Sequence, residues 1–493
     1  MADNRVDIVI INPGSGKKMY GSLSSCLSAI EPPIWGGMTA AFLRQKGFSV
    51  RIIDAHAEEL DAEAVAEKVA GYNPMLADIV VCGSNPSASS TPKMVETRHI
   101  LDALKKKAPR VKRIASGIHP SALPEKTLRE ESVDFVCKGE GFYAILGLLE
   151  ILKTGGSHSD YDVEGLWYLK DGKVMSNGWS ETVRNLDELP FVAWDLLPME
   201  KYRAHNWHCF DNIEARKPYA VIYTTLGCPF NCRFCNIHAL YSGKPGIRFR
   251  SPAKIVEEID FLVKNYKVRN IKILDELFVL KESFVTEICD LIIRGGYDLN
   301  IWAYARIDTI NEKLLKKMKQ AGINWLAFGI ESASEKVRSG VVKGAFGEDK
   351  ISEAVRMTHA AGIHIVANFI FGLPDDDFTT MQKTLDMAKE LNCEYTNFYT
   401  AMAYPGSQLY DDMARQGVKL SENWLSYSQF SAETQPLSTR YLSSADVLRF
   451  RDKAFDEYHN SPRYLEMMEE KFGSAVMAHI REMLTHKIHR KFA

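Results

Sequence analysis

Short β-branched runs alternate with amphipathic helices twice along this chain, and that repeated alternation constrains the fold more than any other feature. The first series reads "VDIVIIN", "SVRIIDA", "ADIVVCGSN", "VKRIASGIHP" and "VDFVCKGEG". Between and after these runs lie "GGMTAAFLRQKGF", "EAVAEKVAGY", "TRHILDALKKKAP" and "YAILGLLEILK". Strands covered on both faces read as continuous apolar runs, and an intervening helix returns the chain for parallel pairing. Five such runs argue an α/β module over residues 1–154, a doubly wound parallel sheet. Sheets of this kind bind ligands at the carboxyl ends of their strands. Those ends hold Asn12, Pro13 and Gly14, then Ser84 and Asn85, then Gly117, Ile118 and His119, and finally Gly139, Glu140 and Gly141. Small, turn-forming residues there leave room for a large planar ligand, although Gly and Pro also serve as plain turn residues.

Residues 155–215 are less regular, with "KDGKVMSNG" reading as a hairpin and "LDELPFVAWDLLP" as an aromatic, Pro-bounded connector. A second alternation spans 216–409. Its strands are "YAVIYTTLG", "NIKILDE", "IWAYARID", "INWLAFGIES", "HIVANFIFGLP" and "EYTNFYTAMAYPG". Its helices include "PAKIVEEIDFLVKN", "SFVTEICDLIIRG", "EKLLKKMKQAG" and "KISEAVRMTHAAG". Six β/α units make a partial TIM-type barrel, whose chemistry sits at the C-terminal strand ends. Residues 410–493 read as a helical extension broken at Pro462 and Gly473, placed to cap the open side of the barrel and line a pocket. The final "THKIHRKFA" reads as a solvated terminus.

The length of 493 residues exceeds one ordinary core, so several domains are expected. A formal charge of -2 provides no basic field for nucleic acid. No apolar run reaches the roughly 20 residues that span a bilayer. The opening "MADNRVDIVIINPGS" passes from polar residues straight into a strand, which leaves no room for a signal peptide. Nine cysteines, an odd number spread over the whole length, do not form a secreted disulfide framework. A cytoplasmic location is expected.

Three of the nine lie together in "TTLGCPFNCRFCNIH", just after the first barrel strand. Cys228, Cys232 and Cys235 are spaced C-x3-C-x2-C, with no fourth cysteine near. A structural zinc site wants four ligands, and His238 is the neighbour that would complete one. Thiolates also hold iron–sulfur clusters, and three corners of a cubane leave one iron free for a substrate or cofactor. Pro229 and Asn231 favour the turns that wrap such a body. A chance cluster of buried cysteines is the third reading. The spacing favours the open-iron cluster.

The segment "CPFNCRFC" resembles the signature of radical S-adenosylmethionine enzymes, including the aromatic Phe234 before the third cysteine. Further stretches match that family in order around the barrel. "LDELF" puts Asp275 and Glu276 where the family contacts the amino group of S-adenosylmethionine. "GIES", with Glu331 and Ser332, is similar to its ribose- and methionine-contacting segment. "FIFGLPDDD", with Gly372 and Pro374, matches the turn beside the adenine, and "YPGSQLY" is also similar. Arg306, charged and at a strand end, joins the implied cofactor contacts.

The N-terminal module is similar to the cobalamin-binding domain of the B12-dependent branch, through "EPPIWGGMTAAFLRQKGFSVRIIDA", "SGIHPSALPE" and "CKGEG". It departs from the Asp-x-His-x-x-Gly motif of many B12 proteins. Asp54-Ala55-His56 imitates its start, but Glu59 stands where glycine belongs, and the stretch follows the second strand instead of the first. His56 therefore reads as a loop histidine, and His119 as a contact to the corrin ring.

The resemblance implies a [4Fe-4S] cluster, S-adenosylmethionine and cobalamin as cofactors. It implies a methyltransferase in which a 5'-deoxyadenosyl radical takes hydrogen from an unactivated carbon and methylcobalamin delivers the methyl group. Relatives with the same cofactors form or contract rings or insert oxygen without net methylation, and a non-catalytic corrinoid or zinc-binding module is the alternative of another class. The implied partners are a small-molecule or biosynthetic-intermediate substrate and a low-potential electron donor, flavodoxin or ferredoxin. Tyr304 and Tyr399 read as barrel packing or as suppliers of a proton or electron, and no general acid or base is assigned.

Overall fold

Strand β1 (Ile8–Asn12) is buried along its whole length, because both faces of its sheet are covered by helices. The computed structural model describes residues 5–14, 28–156, 161–344 and 346–493, so Ser15 and Gly16 of the first loop lie outside it. β1 pairs in parallel with β2 (Val50–Asp54) on one side and β3 (Leu76–Val81) on the other. β4 (Lys112–Gly117) and β5 (Phe135–Cys137) continue outward, also in parallel. The order β2-β1-β3-β4-β5 reverses direction at β1 and β3, where such sheets open a ligand crevice at their carboxyl edge.

The hairpin β6 (Leu166–Lys170) and β7 (Lys173–Ser176) does not stand free between the domains. β6 pairs antiparallel with β5 and extends the first sheet to seven strands.

The expected strand "YAVIYTTLG" is broken. β8 (Tyr219–Ile222) belongs to the barrel, whereas β9 (Thr225–Cys228) leaves it and pairs antiparallel with β10 (Gly246–Phe249). Asp275 is the cause. Its carboxylate accepts from the Thr224 amide at 2.7 Å and from the Thr225 hydroxyl at 2.9 Å, which draws the chain out of the ladder. The barrel sheet continues through β11 (Asn270–Ile273), β12 (Asn300–Ala305), β13 (Ile323–Glu331), β14 (His364–Phe371) and β15 (Tyr395–Thr400). All six barrel strands are parallel and neighbours in sequence order.

Local chemistry sets the helices around it. Helix Pro252–Tyr266 starts on a Ser251 cap with proline in its first turn, and buries Ile255, Ile259 and Leu262 at helical spacing. Helices Phe378–Leu391 and Ser444–His459 each begin with a reciprocal capping box. Helix Pro462–Thr485 turns at Gly473, whose backbone is not helical. This tail is fastened to the barrel by Tyr458, which donates to the Cys393 carbonyl at 2.6 Å, and Tyr464, which donates to the Glu394 carbonyl at 3.2 Å. Among the described residues no helix is long and apolar enough to cross a membrane.

Charged ties join the two modules. Lys272 of β11 reaches Glu31 at 2.9 Å and the Ser84 carbonyl at 2.6 Å. Arg248 of β10 pairs with Glu140, whose carbonyl accepts from the Trp35 indole at 3.2 Å. The carboxyl edge of the first sheet is thereby held against the barrel.

Candidate functional site

Cys228 is the last residue of β9, and Cys232 and Cys235 follow on the loop. Gly227 has φ 95°, and a Cβ there would stand 2.4 Å from the Gly246 carbonyl oxygen, so the close approach of β10 requires glycine. The Cys235 amide donates to the Cys232 carbonyl at 3.0 Å, closing a tight turn. Outside that turn the loop is anchored on both sides. The Arg233 amide donates to the Val341 carbonyl, the Arg233 carbonyl accepts from Leu409, and Phe234 packs against a small cluster of Val337, Val341, Leu373 and Ala401.

His238 turns back onto the Phe230 carbonyl at 2.8 Å. It braces the loop.

All three thiols are free. Burial pushes Cys228 up to about 11 and Cys235 up to about 12, and raises Cys232 as well. The trio is close enough that Cys232 adds to the shift of Cys228, and both add to that of Cys235. Bare, these groups are thiols at neutral pH, and a metal centre must displace their protons. Among the described residues no three His, Cys, Asp or Glu side chains are arranged to hold a single metal ion.

Two adjacent carboxylates at the end of β11 have different fates. Asp275 is spent on Thr224 and Thr225. Glu276 is buried with no well-aligned hydrogen bond to either carboxylate oxygen, and burial pushes its carboxyl up to about 8 although the Tyr241 hydroxyl and the Gly227 backbone pull the other way. Cys228 feels its charge.

Arg306 grips Asp308 with two bonds of 2.9 Å and lies over the Phe230 ring at 3.9 Å. Glu331, at φ 66°, pairs with the half-buried Lys343 at 2.7 Å, and that lysine also faces Cys232. Ser332 is engaged with Thr384 and with the Ser334 amide. The amides of Gly372 and Leu373 both donate to Asp376 at 3.0 Å, which fixes the Gly-Leu-Pro turn.

A cavity of about 360 Å³ lies between the first sheet's carboxyl edge, the barrel lumen and the tail. Asn12, Ser84 and Asn85 line it, as do Tyr304 and Tyr399 of the barrel. Pro13, Gly14, Gly117, Ile118, His119, Gly139, Glu140 and Gly141 do not. His119 is buried with its ring 4.6 Å from that of Trp424, and its Nδ1 is 3.2 Å from the Thr91 hydroxyl. Burial lowers it to about 3, and Lys126 adds to the effect. Glu140 is committed to Arg248.

Two further wall residues, His56 and Lys93, lie near the ends of β1 and β2. His56, taken for a loop histidine, lines the cavity, and burial lowers its pKa against the opposing charge of Asp54. Lys93 donates to Asn12 Oδ1 at 2.5 Å and to the Cys82 carbonyl at 3.0 Å, and burial lowers it to about 8. The network continues from Asn12 to Asp54 at 2.7 Å, and Tyr202 donates to the same aspartate at 2.9 Å. Only the Asp54-Ala55-His56 resemblance pointed here; nothing local marks Lys93.

The donor set fits a cluster with one open iron that binds an amino acid group. Three free thiols share one loop, the neighbouring histidine is occupied, and the buried Glu276 carboxyl stands beside them.

Two family models match separate parts of the chain. The Radical SAM superfamily model matches residues 222–388, and the B12 binding domain model matches 23–149. An uncharacterized methyltransferase of Pyrococcus horikoshii is 30% identical over 455 residues, which cover 92% of this chain and 93% of that protein. The anaerobic magnesium-protoporphyrin IX monomethyl ester cyclase of Rubrivivax gelatinosus is 27% identical over 78% of this chain and 66% of its own length. Among solved structures, the radical S-adenosylmethionine methyltransferase TsrM from Kitasatospora setae superposes with a TM-score of 0.66 at 18% identity, covering 85% of this chain and 80% of its own. OxsB, a cobalamin-dependent S-adenosylmethionine radical enzyme, gives a TM-score of 0.70 at 15% identity, covering 97% and 72%. These two show the fold.

Proposed function

The chain belongs to the radical SAM superfamily and carries a B12-binding domain, and we propose that it is a cobalamin-dependent methyltransferase acting on an unactivated carbon. When bound, the [4Fe-4S] cluster with S-adenosylmethionine supplies a 5'-deoxyadenosyl radical, and the cobalamin supplies a methyl group. This reading requires a small-molecule substrate and a low-potential donor of the flavodoxin or ferredoxin type.

The residues divide that work. Cys228, Cys232 and Cys235 hold the cluster after losing their protons, and the anchored backbone around Arg233 keeps the three in register. Glu276 accepts the ammonium of S-adenosylmethionine. The Glu331 and Lys343 pair meets its methionine and ribose portion, and Gly372 leaves bare backbone beside the adenine. Arg306 holds Phe230 of the cysteine loop in place. Asn12, Ser84 and Asn85, with His56 and Lys93, hold the corrin edge. The linker and tail close the lumen and keep water from the reacting groups, a positioning task.

One observation carries this reading: a buried carboxyl stands beside three free thiols on a barrel whose lumen opens into a cavity at the carboxyl edge of a B12-type sheet. The test is anaerobic reconstitution followed by product analysis. S-adenosylhomocysteine together with 5'-deoxyadenosine is expected, and Glu276→Gln is expected to keep the cluster absorbance while losing S-adenosylmethionine cleavage. Full cleavage by Glu276→Gln overturns its assignment. A second reading, ring formation without net methylation, draws support from the cyclase relative, and 5'-deoxyadenosine without S-adenosylhomocysteine would favour it.

A further inference from the structure

The cations that line the cavity are held in two different ways. Lys272 pairs with Glu31 at 2.9 Å, Arg451 with Asp452 at 2.8 Å and Lys487 with Asp456 at 2.6 Å. Lys93 is buried, and its Nζ donates only to neutral oxygens, the Asn12 Oδ1 and the Cys82 carbonyl. An ammonium has three donors, so one is left without a partner among the described residues.

No group around Lys93 supplies the missing counter-charge. Asp54 reaches it only through the Asn12 side chain and is already satisfied. It accepts from the Asn12 amide at 2.7 Å, from the Tyr202 hydroxyl at 2.9 Å and from the His56 and Ala57 backbone at 3.2 Å. Burial pushes the Cys82 thiol up to about 12 and lowers His56, so both are neutral. The lysine itself is lowered by burial only to about 8 and stays an ammonium at neutral pH. A buried charge is costly unless it is paired, so its partner is expected to arrive with the ligand.

The position of Lys93 says which ligand. It stands at the switch point, where Asn12 ends β1 and Cys82 follows β3. The part of the wall formed by β1, β3 and the turn after β3 is Asn12, Val80, Cys82, Gly83, Ser84, Asn85, Ala88, Ser89 and Lys93. Lys93 is the one charged residue among them. A corrin ring carries neutral carboxamides on its rim, and the one anionic group on the periphery of cobalamin is the phosphodiester that leads to its nucleotide. An ammonium donating to a phosphate oxygen makes a charge-assisted hydrogen bond, stronger than any that a carboxamide offers.

We propose that Lys93 anchors the phosphate of the corrinoid, and that the protein thereby selects corrinoids that carry one. Resting on the functional reading above, this names the part of the cofactor that the first sheet recognises.

Equilibrium dialysis of the full-length protein, reconstituted anaerobically with its cluster, tests it with three corrinoids. Cobinamide lacks phosphate and nucleotide, cobinamide phosphate has the phosphate alone, and cobalamin has both. The two corrinoids with phosphate are expected to bind about tenfold or more tightly than cobinamide. Lys93→Met is expected to cut that advantage to about twofold or less for both. The comparison of the three on the parent protein stands by itself if Lys93→Met does not fold. A Lys93→Met protein that keeps the full advantage overturns the proposal. So does a parent that prefers cobalamin but treats the two cobinamides alike, since the nucleotide base would then be what is read. Equal retention of all three is the result expected if the anion at Lys93 belongs to the substrate instead, and it overturns this proposal alone. A parent that retains none of them overturns the cobalamin reading as well.

Discussion

Asp78 stands in the middle of β3, fully buried, with the Ser116 hydroxyl beside its carboxylate and no well-aligned hydrogen bond to either oxygen. Its strand neighbours across the sheet are Ile10 and Ile114. Burial pushes its carboxyl from 3.8 to about 7, and the Ser116 hydroxyl offsets only part of that. A carboxyl raised in the folded state binds more protons there than in the unfolded chain, so its contribution to stability falls as pH rises from about 4 to about 7. Asp78→Asn removes this dependence. The stability difference between variant and parent is expected to grow by about 2–3 kcal/mol in favour of the variant from pH 5 to pH 8. Thermal midpoints at the two pH values check it, and parallel profiles would sink it. Glu276 shows that a displaced carboxyl alone does not locate a site. Both residues are buried and poorly hydrogen-bonded, yet Asp78 faces the core near Cys137 while Glu276 faces the cysteine loop. The motif "LDELF" distinguished them, whereas in "ADIVV" the aspartate is only an interruption of an apolar run.

Elements were legible where their causes are local. The two alternations, the hairpin turn and the break at Gly473 all follow from neighbouring residues. The failures came where the cause is distant: β9 leaves the barrel because of a carboxylate 50 residues away, and β6 joins the first sheet by pairing with β5. The Gly-Leu-Pro turn after β14 combines both kinds. Gly372 has φ 80°, and a Cβ there would stand 2.5 Å from Val447 Cγ1 on helix Ser444–His459. Valine is stiff at χ1 and cannot swing aside. Gly372→Ala is expected to destabilise by about 2–4 kcal/mol, part from the left-handed backbone and part from overpacking. Adding Val447→Ala should recover the packing share and leave the backbone share. A Gly372→Ala protein that melts with the parent would show that the turn does not need glycine.

The cavity belongs to the molecule as a whole, since sheet edge, barrel, linker and tail each supply part of its wall. That assembly is the least legible level of the sequence, because a residue such as Lys93 gains meaning only from partners far along the chain. Its joint is Lys272. The side chain is 3% exposed, lies over Trp302 at 4.8 Å, and meets Glu31, which also accepts from the Tyr219 hydroxyl at 3.3 Å. Burial lowers the lysine's pKa and Glu31 holds it up. Glu31→Gln leaves the ammonium buried without its counter-charge, a change that costs about 3–5 kcal/mol where one partner of such a pair is removed. A lysine depressed in the folded state binds fewer protons there than when unfolded, so the deficit should shrink as pH rises toward 10. Replacing both partners, Glu31→Leu with Lys272→Met, removes the stranded charge and is expected to recover most of the loss. Melting from pH 6 to pH 9, with retention of cobalamin through gel filtration, separates the outcomes. A deficit that ignores pH, or a double variant weaker than Glu31→Gln alone, would mean that the joint is held by packing and not by this pair.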